Sequence, residues 1–284
     1  MRSRPAPIDA LPDYRVRARN LSRSTANKIH DDAVARTYGY AAGLVAGTTV
    51  YAYMTQPLVA GWGLDWLARG TGRLALLHPV YDGDEVTVQT RVVARSGGEV
   101  AGEVAAEVTA LTARGPAATL LAGLSWGGPP LAPDPGGYPA APLPAVAPPA
   151  SEAALAALQP LGSPEFRLDE SEAAGYAADL DDPLPVYRGT EAVAHPGLLL
   201  QQANRALAEN VVLGPWVHVT SDAVHCGLAR AGQVLATRGR VARVYERKGH
   251  RFVELDLLLV ADGARPVMLV RHVAIYQLRG GRHG

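Results

Sequence analysis

The sequence is poor in several things, and each scarcity excludes something. It has a single cysteine, Cys226, so no internal disulfide can form and a reducing compartment is expected. It has no excess of charge of either sign: 27 basic residues balance 27 acidic ones. A nucleic-acid partner, which favours a broad basic surface, is therefore not expected. No stretch reaches 18 uninterrupted apolar residues, and the opening Met1-Arg2-Ser3-Arg4-Pro5-Ala6-Pro7 has no apolar core of a leader peptide. A soluble cytoplasmic protein with no membrane partner is the expectation. Serines occur without a Gly-x-Ser-x-Gly elbow, and the glycine pairs form no Gly-x-Gly-x-x-Gly or Walker pattern, so a hydrolase triad and a nucleotide loop have no support. His218, His225, His250 and His272 fall on strand-like segments without metal-ligand spacing and read as surface or packing residues, so no metal is expected.

What is present is a globular composition, with 48% apolar residues over 284 positions, enough for two domains of ordinary size. Tyr14 to Arg19 alternates basic with apolar or aromatic side chains, the period-two sign of a half-exposed strand. A polar loop runs to His30, and Asp31-Asp32 can cap a short helix ending near Thr37. Gly47 to about Leu67 is apolar on too many faces for a surface helix and should be buried, with Pro57 kinking or dividing it. Strands are expected at Leu74–Val80, Glu85–Ala94, Gly102–Thr112 and Ala118–Trp126, joined by glycine turns that imply an antiparallel meander.

Residues 127–150 change character, with nine prolines and four glycines in 24 positions. They read as an extended, polyproline-like linker between residues 1–126 and residues 151–284. Beyond it the first pattern returns. A helix opens at Pro196, and strands are expected at Trp216–Val224, Gln233–Tyr245, Arg251–Val260 and Val267–Leu278. A constant shift of 149 residues places Gly83 on Gly232, Val92 on Val241 and Leu120 on Leu269. Such a register over a shared helix-then-meander order indicates an internal duplication. Two such units would pair sheet edge to sheet edge and leave two related crevices beside the helix starts.

The polar loop ending in histidine, the capping aspartate, and the glycine opening a central helix resemble the MaoC-like acyl-thioester hydratases. Their motif is Asp-x-Asn-Pro-x-His, followed some 15 residues later by His-Gly. The first half reads Thr25-Ala26-Asn27-Lys28-Ile29-His30, then Ala46-Gly47; the second reads Asp182-Pro183-Leu184-Pro185-Val186-Tyr187, then His195-Pro196. Asparagine and histidine match in the first half, aspartate and proline in the second, and neither holds the full catalytic pair. Leu76 to Asp84 also fits the family's strand and turn after the helix.

The resemblance implies an α+β tandem (double) hotdog, each half an antiparallel sheet wrapped around a central helix. It implies hydration of an enoyl thioester or the reverse dehydration, in fatty-acid metabolism. No separate cofactor is implied, since coenzyme A or an acyl carrier would belong to the substrate. His30 would be the acid/base, with Thr25 and Asn27 positioning water, and the Gly47 N–H would meet the thioester oxygen; Tyr51 would lie along the bound acyl group. In the second half Asp182 is a candidate base and Tyr187 a weak acid or plug. Pro196 has no N–H to give, and His195 reads as a hydrogen-bonder at the helix start. The basic hairpin Arg238, Arg240, Arg243, Arg247, Lys248 and Arg251 could meet coenzyme A phosphates. A thioesterase, a non-catalytic acyl-thioester-binding protein, and a homo-oligomer of the pseudo-dimer remain open.

Overall fold

The structure is a computed structural model that describes residues 10–98, 100–128 and 130–280. The opening seven residues and Pro129 of the linker lie outside the described residues. The first half runs β1 (Tyr14–Arg17), α1 (Asp32–Thr37), α2 (Gly47–Arg69), β2 (Thr71–Leu76), β3 (Glu85–Gly97), β4 (Gly102–Thr112) and β5 (Gly115–Trp126). The second runs α3 (Glu152–Ala156), β6 (Glu165–Arg167), α4 (Glu170–Asp179), α5 (Pro196–Ala208), β7 (Val217–His225), β8 (Val234–Arg247), β9 (His250–Ala261) and β10 (Arg265–Gln277).

All ten strands form one sheet, in the order β1-β3-β4-β5-β2-β7-β10-β9-β8-β6. That order is a palindrome about its middle: each strand of the first half has its counterpart at the same distance on the other side. The duplication read from the 149-residue shift is thus a pseudo-twofold axis between β2 and β7. These two edge strands pair antiparallel from Thr71↔Val224 to Ala75↔Thr220, so each half closes the edge the other would expose.

The central helix α2 is buried without a break from Thr48 to Val59, which is why its sequence is apolar on every face. Trp66, Tyr51, Tyr53, Met54 and Leu58 are among the largest fully buried side chains, each worth about 1.5–3 kcal/mol of burial. Pro57 does not divide it. Helical conformation runs through the proline, and the non-helical residue is Gly63, with φ 60° and ψ −150°. A residue without a Cβ takes that conformation at little steric cost, so the bend falls on the glycine.

The proline-rich segment also departs from a free extended linker. It contains a 3-10 turn at Pro135–Gly137 and is pinned to the second half. Tyr138 Oη donates to Asp256 Oδ1 at 3.0 Å, and the Ala150 N–H to the Val212 carbonyl at 2.8 Å. No helix among the described residues is long and apolar enough to cross a membrane.

Candidate active-site cleft

The loop before α1 builds the site. Lys28–His30 forms a single 3-10 turn, capped by the Asn27 side chain on the Ile29 N–H. Asp31 then caps α1 through the Val34 N–H at 3.0 Å. Together the two caps fix His30 between them, with only 9% of its surface exposed. Its Nδ1 lies 2.7 Å from the Leu44 carbonyl. A carbonyl only accepts, so this nitrogen carries the proton and Nε2 keeps its lone pair. Asn27 Nδ2 faces that lone pair at 3.4 Å. Burial lowers the pKa of the ring, opposed by the Leu44 carbonyl. His30 is thus held as a neutral base at neutral pH.

His30 lines a cleft of about 230 Å³ whose walls also include Asn27, Ala46, Gly47, Leu76, Asn204, Trp216 and His218. An adjoining compartment of about 430 Å³ shares Asn27, His30, Ala46, Asn204 and Trp216 and extends past Thr25 along α5. The second half therefore supplies one wall of a site built on the first. Asn27 is the hinge pin of that arrangement. Its Nδ2 donates to the Trp216 carbonyl at 3.0 Å, and its Oδ1 accepts the Trp216 N–H at 3.2 Å.

Helix α2 enters the cleft at Gly47. The first N–H groups of a helix have no partner within it, and the cap residue here, Ala46, makes no side-chain hydrogen bond to them. A Cβ on Gly47 would fall on Leu76 Cδ1 and stand 2.8 Å from His218 Nδ1. Only glycine lets the helix start sit this close to the wall.

The related place in the second half is closed. The helix start is capped there by His195, whose Nδ1 accepts the Gly197 N–H at 3.0 Å. The His195 proton is therefore on Nε2, 3.3 Å from Asp182 Oδ2. Asp182 also accepts the Leu184 N–H at 2.9 Å. Tyr187 and Tyr176 pack against the imidazole with ring centroids 4.6 and 5.3 Å away. Asp182, His195 and Tyr187 are 3%, 0% and 0% exposed. These second-half residues are thus buried against one another, with His195 hydrogen-bonded at the helix start. Tyr51 is likewise buried, at 1%, and lines neither compartment.

Thr25 does line the second compartment, but its hydroxyl donates to the Ser22 carbonyl at 2.8 Å within its own turn. No Asp or Glu lines either compartment. The basic hairpin lies elsewhere: Arg240 pairs with Asp256 at 2.6 Å, and Arg238 donates to the Gly263 carbonyl at 3.0 Å.

Sequence reading missed Asn204 and His218. Asn204 Oδ1 is buried beside both compartments without a hydrogen-bond partner. His218, read as a surface or packing residue, lines the cleft, and no pattern in its neighbours signals this. Among the described residues no group of three His, Cys, Asp or Glu side chains converges as a metal site.

Compared with known proteins, the sequence matches no family model and no curated protein. The structure does match. A putative MaoC domain protein dehydratase from Chloroflexus aurantiacus superposes with a TM-score of 0.66 over 96% of this chain and 97% of its own, at 11% identity. A conserved hypothetical protein from Mycobacterium tuberculosis, described as having a double hotdog fold, gives 0.63 over 94% of both chains at 17% identity. The fold is the double hotdog. Its structural neighbours include MaoC-like dehydratases and also a putative oleoyl thioesterase from Lactobacillus plantarum, at a TM-score of 0.52 and 12% identity.

Proposed function

We propose that this double-hotdog protein binds an acyl thioester in the cleft between His30 and Gly47 and interconverts enoyl and 3-hydroxyacyl thioesters. The observation that carries the reading is the convergence on one cleft of a neutral histidine, whose acceptor Nε2 meets the Asn27 amide at 3.4 Å, and an uncapped helix start. In hydration, the water oxygen bonds to the β-carbon while a water proton passes to His30 Nε2. The electron pair of the C=C bond moves onto the thioester as an enolate, whose oxygen is met by helix-start N–H groups. The His30 imidazolium then returns that proton to the α-carbon, so one water is added and the histidine is restored. Dehydration is the same path reversed.

One histidine thus does work that a histidine and a carboxylate share in the resembled motif. Incubation with crotonyl-CoA and longer enoyl-CoAs, followed by loss of the enoyl-thioester absorbance, tests the reading. Turnover that His30→Ala abolishes supports it; no turnover by either the wild type or Thr25→Asp overturns it. A carrier-only role, binding acyl thioesters without converting them, is favoured by one feature, the lack of any carboxylate in the cleft walls. It predicts saturable acyl-CoA binding that is indifferent to His30→Ala.

A further inference from the structure

On β7 two side chains three positions apart, His218 and Ser221, both point inward, whereas regular pleating would send them to opposite faces. A bulge explains this: on β10 Val273 pairs with Thr220 and Ala274 with His218, so Val219 is an extra residue. Bulges re-aim side chains beside active sites.

The result is a chain of three buried side chains. His218 Nε2 lies 2.8 Å from Ser221 Oγ, which lies 2.9 Å from His272 Nδ1. The rings of His218 and His272 stack at 4.2 Å. At the two ends, His218 Nδ1 and His272 Nε2 have no hydrogen-bond partner among the described residues. His218 is 6% and His272 0% exposed. Both end nitrogens are themselves buried, but the His218 ring, unlike that of His272, belongs to the cleft wall, with its Nδ1 against Gly47.

A hydroxyl has one proton and two lone pairs, so Ser221 can donate to either imidazole while accepting from the other. The chain therefore has two settings, and in one of them His272 Nδ1–H donates to Ser221 and Ser221 Oγ–H donates to His218 Nε2. The His218 proton is then on Nδ1, beside Gly47.

We infer that His218 is a second donor to the ligand's carbonyl oxygen: its Nδ1–H, set through Ser221 by His272, hydrogen-bonds the thioester oxygen beside the Gly47 helix start. The inference rests on the proposed acyl-thioester reading of this cleft. His218 would act as a neutral imidazole, holding enolate charge without giving up its proton, so no bond to it forms or breaks. Burial suits that role, pushing its pKa down to about 4 with the Thr220 backbone opposing, while burial and His218 hold His272 well below the ordinary value. A neutral histidine beside a helix N-terminus can polarise a carbonyl in this way. Ser221 and His272 are positioning residues.

The test uses saturated acyl-CoAs from butyryl to palmitoyl, 13C-labelled at the carbonyl, which bind but cannot be hydrated. Infrared spectra of the bound ligand read the polarisation of the C=O bond. 15N spectra of histidine-labelled wild type read the tautomer of His218 directly. The expected results are a lowered C=O stretch that His218→Leu partly reverses, and an Nδ1–H, Nε2-acceptor tautomer at His218 in the complex. Ser221→Ala should reduce the C=O shift while leaving a folded protein. In turnover of enoyl-CoA, His218→Leu should lower kcat about 10²–10³-fold with little change in KM, the loss seen for one oxyanion donor. A C=O stretch unmoved by His218→Leu, or an Nε2–H tautomer in the complex, overturns the inference alone. Failure of every acyl-CoA to bind the wild type overturns the acyl-thioester reading, and the inference falls with it. Should His218→Leu fail to fold, the wild-type tautomer decides.

Discussion

Asn27 and Trp216 grip each other across the boundary between the two halves, amide against peptide, with bonds of 3.0 and 3.2 Å in opposite directions. Asn27 also touches His30 Nε2, so one side chain joins the inter-half contact to the orientation of the base. Asn27→Ala would leave the Trp216 N–H and carbonyl without these partners. A stability loss of about 1–3 kcal/mol is expected, read from the midpoint of urea unfolding. Any enoyl-CoA turnover should fall in the fraction that remains folded as well. Asn27→Asp should do no better, because a carboxylate cannot donate to the Trp216 carbonyl. A variant with wild-type stability would remove Asn27 from the joint.

Gly47 makes a sharper case, because its role depends on the absence of one carbon. The residue is helical, so alanine meets no backbone penalty; the obstacle is Leu76 Cδ1 and the His218 ring, 2.8 Å from the new Cβ at Nδ1. Gly47→Ala should cost about 1–3 kcal/mol through overpacking, against the gain of a few tenths to one that the same change gives at an open helical site. It should also weaken acyl-CoA binding, measured by calorimetry, by displacing the wall of the cleft. Tight binding by a stable Gly47→Ala variant would show that the ligand enters elsewhere.

The sequence made the elements legible where the signal is local. The caps at Asp31 and His195, the buried α2 and the paired meanders all follow from spacing within a dozen residues, and the 149-residue shift carries the pseudo-symmetry. The site was legible only on the side that one segment supplies, from Asn27 to Gly47. Its other wall comes from Asn204, Trp216 and His218, some 190 residues away in the chain. There the decisive features are a strand bulge at Val219 and an edge pairing of β2 with β7, neither of which leaves a mark in residue spacing. Pro57 was misread for a related reason: the rule that proline bends a helix ignores the packing that holds this one in place, and Gly63 takes the bend instead.

Asp182 and His195 predict stability without catalysis. Asp182→Ala would strand the His195 Nε2–H and the Leu184 N–H in a site with no access to water. A loss of about 2–4 kcal/mol follows from two buried orphan donors. Asp182→Asn keeps an acceptor for one of them and should cost less. In either variant the folded protein should retain whatever kcat the wild type shows, since neither residue lines the cleft of His30. Loss of kcat in a stable Asp182→Asn protein would return Asp182 to the reaction.

The buried histidines set the response to acid. His30, His195, His218, His225 and His272 all have pKa values lowered by burial. A group whose folded pKa is depressed takes up its proton in the unfolded chain first. Its contribution is therefore complete above the unfolded value near 6.5 and is lost as pH falls toward the folded value. For His218 and His225, both pushed down to about 4, the window runs from about 6.5 to 4. Each should add about 1.4 kcal/mol per pH unit to the slope there. His225 isolates the effect, because both its ring nitrogens lack partners and its ring packs against Trp66 at 4.8 Å, away from the cleft walls. His225→Leu should remove one such slope in urea titrations between pH 6.5 and 4. At pH 7.5 it should leave stability unchanged or raised, since it removes two buried unsatisfied nitrogens. An unaltered slope in a folded His225→Leu protein would mean that this ring takes up its proton in the native state.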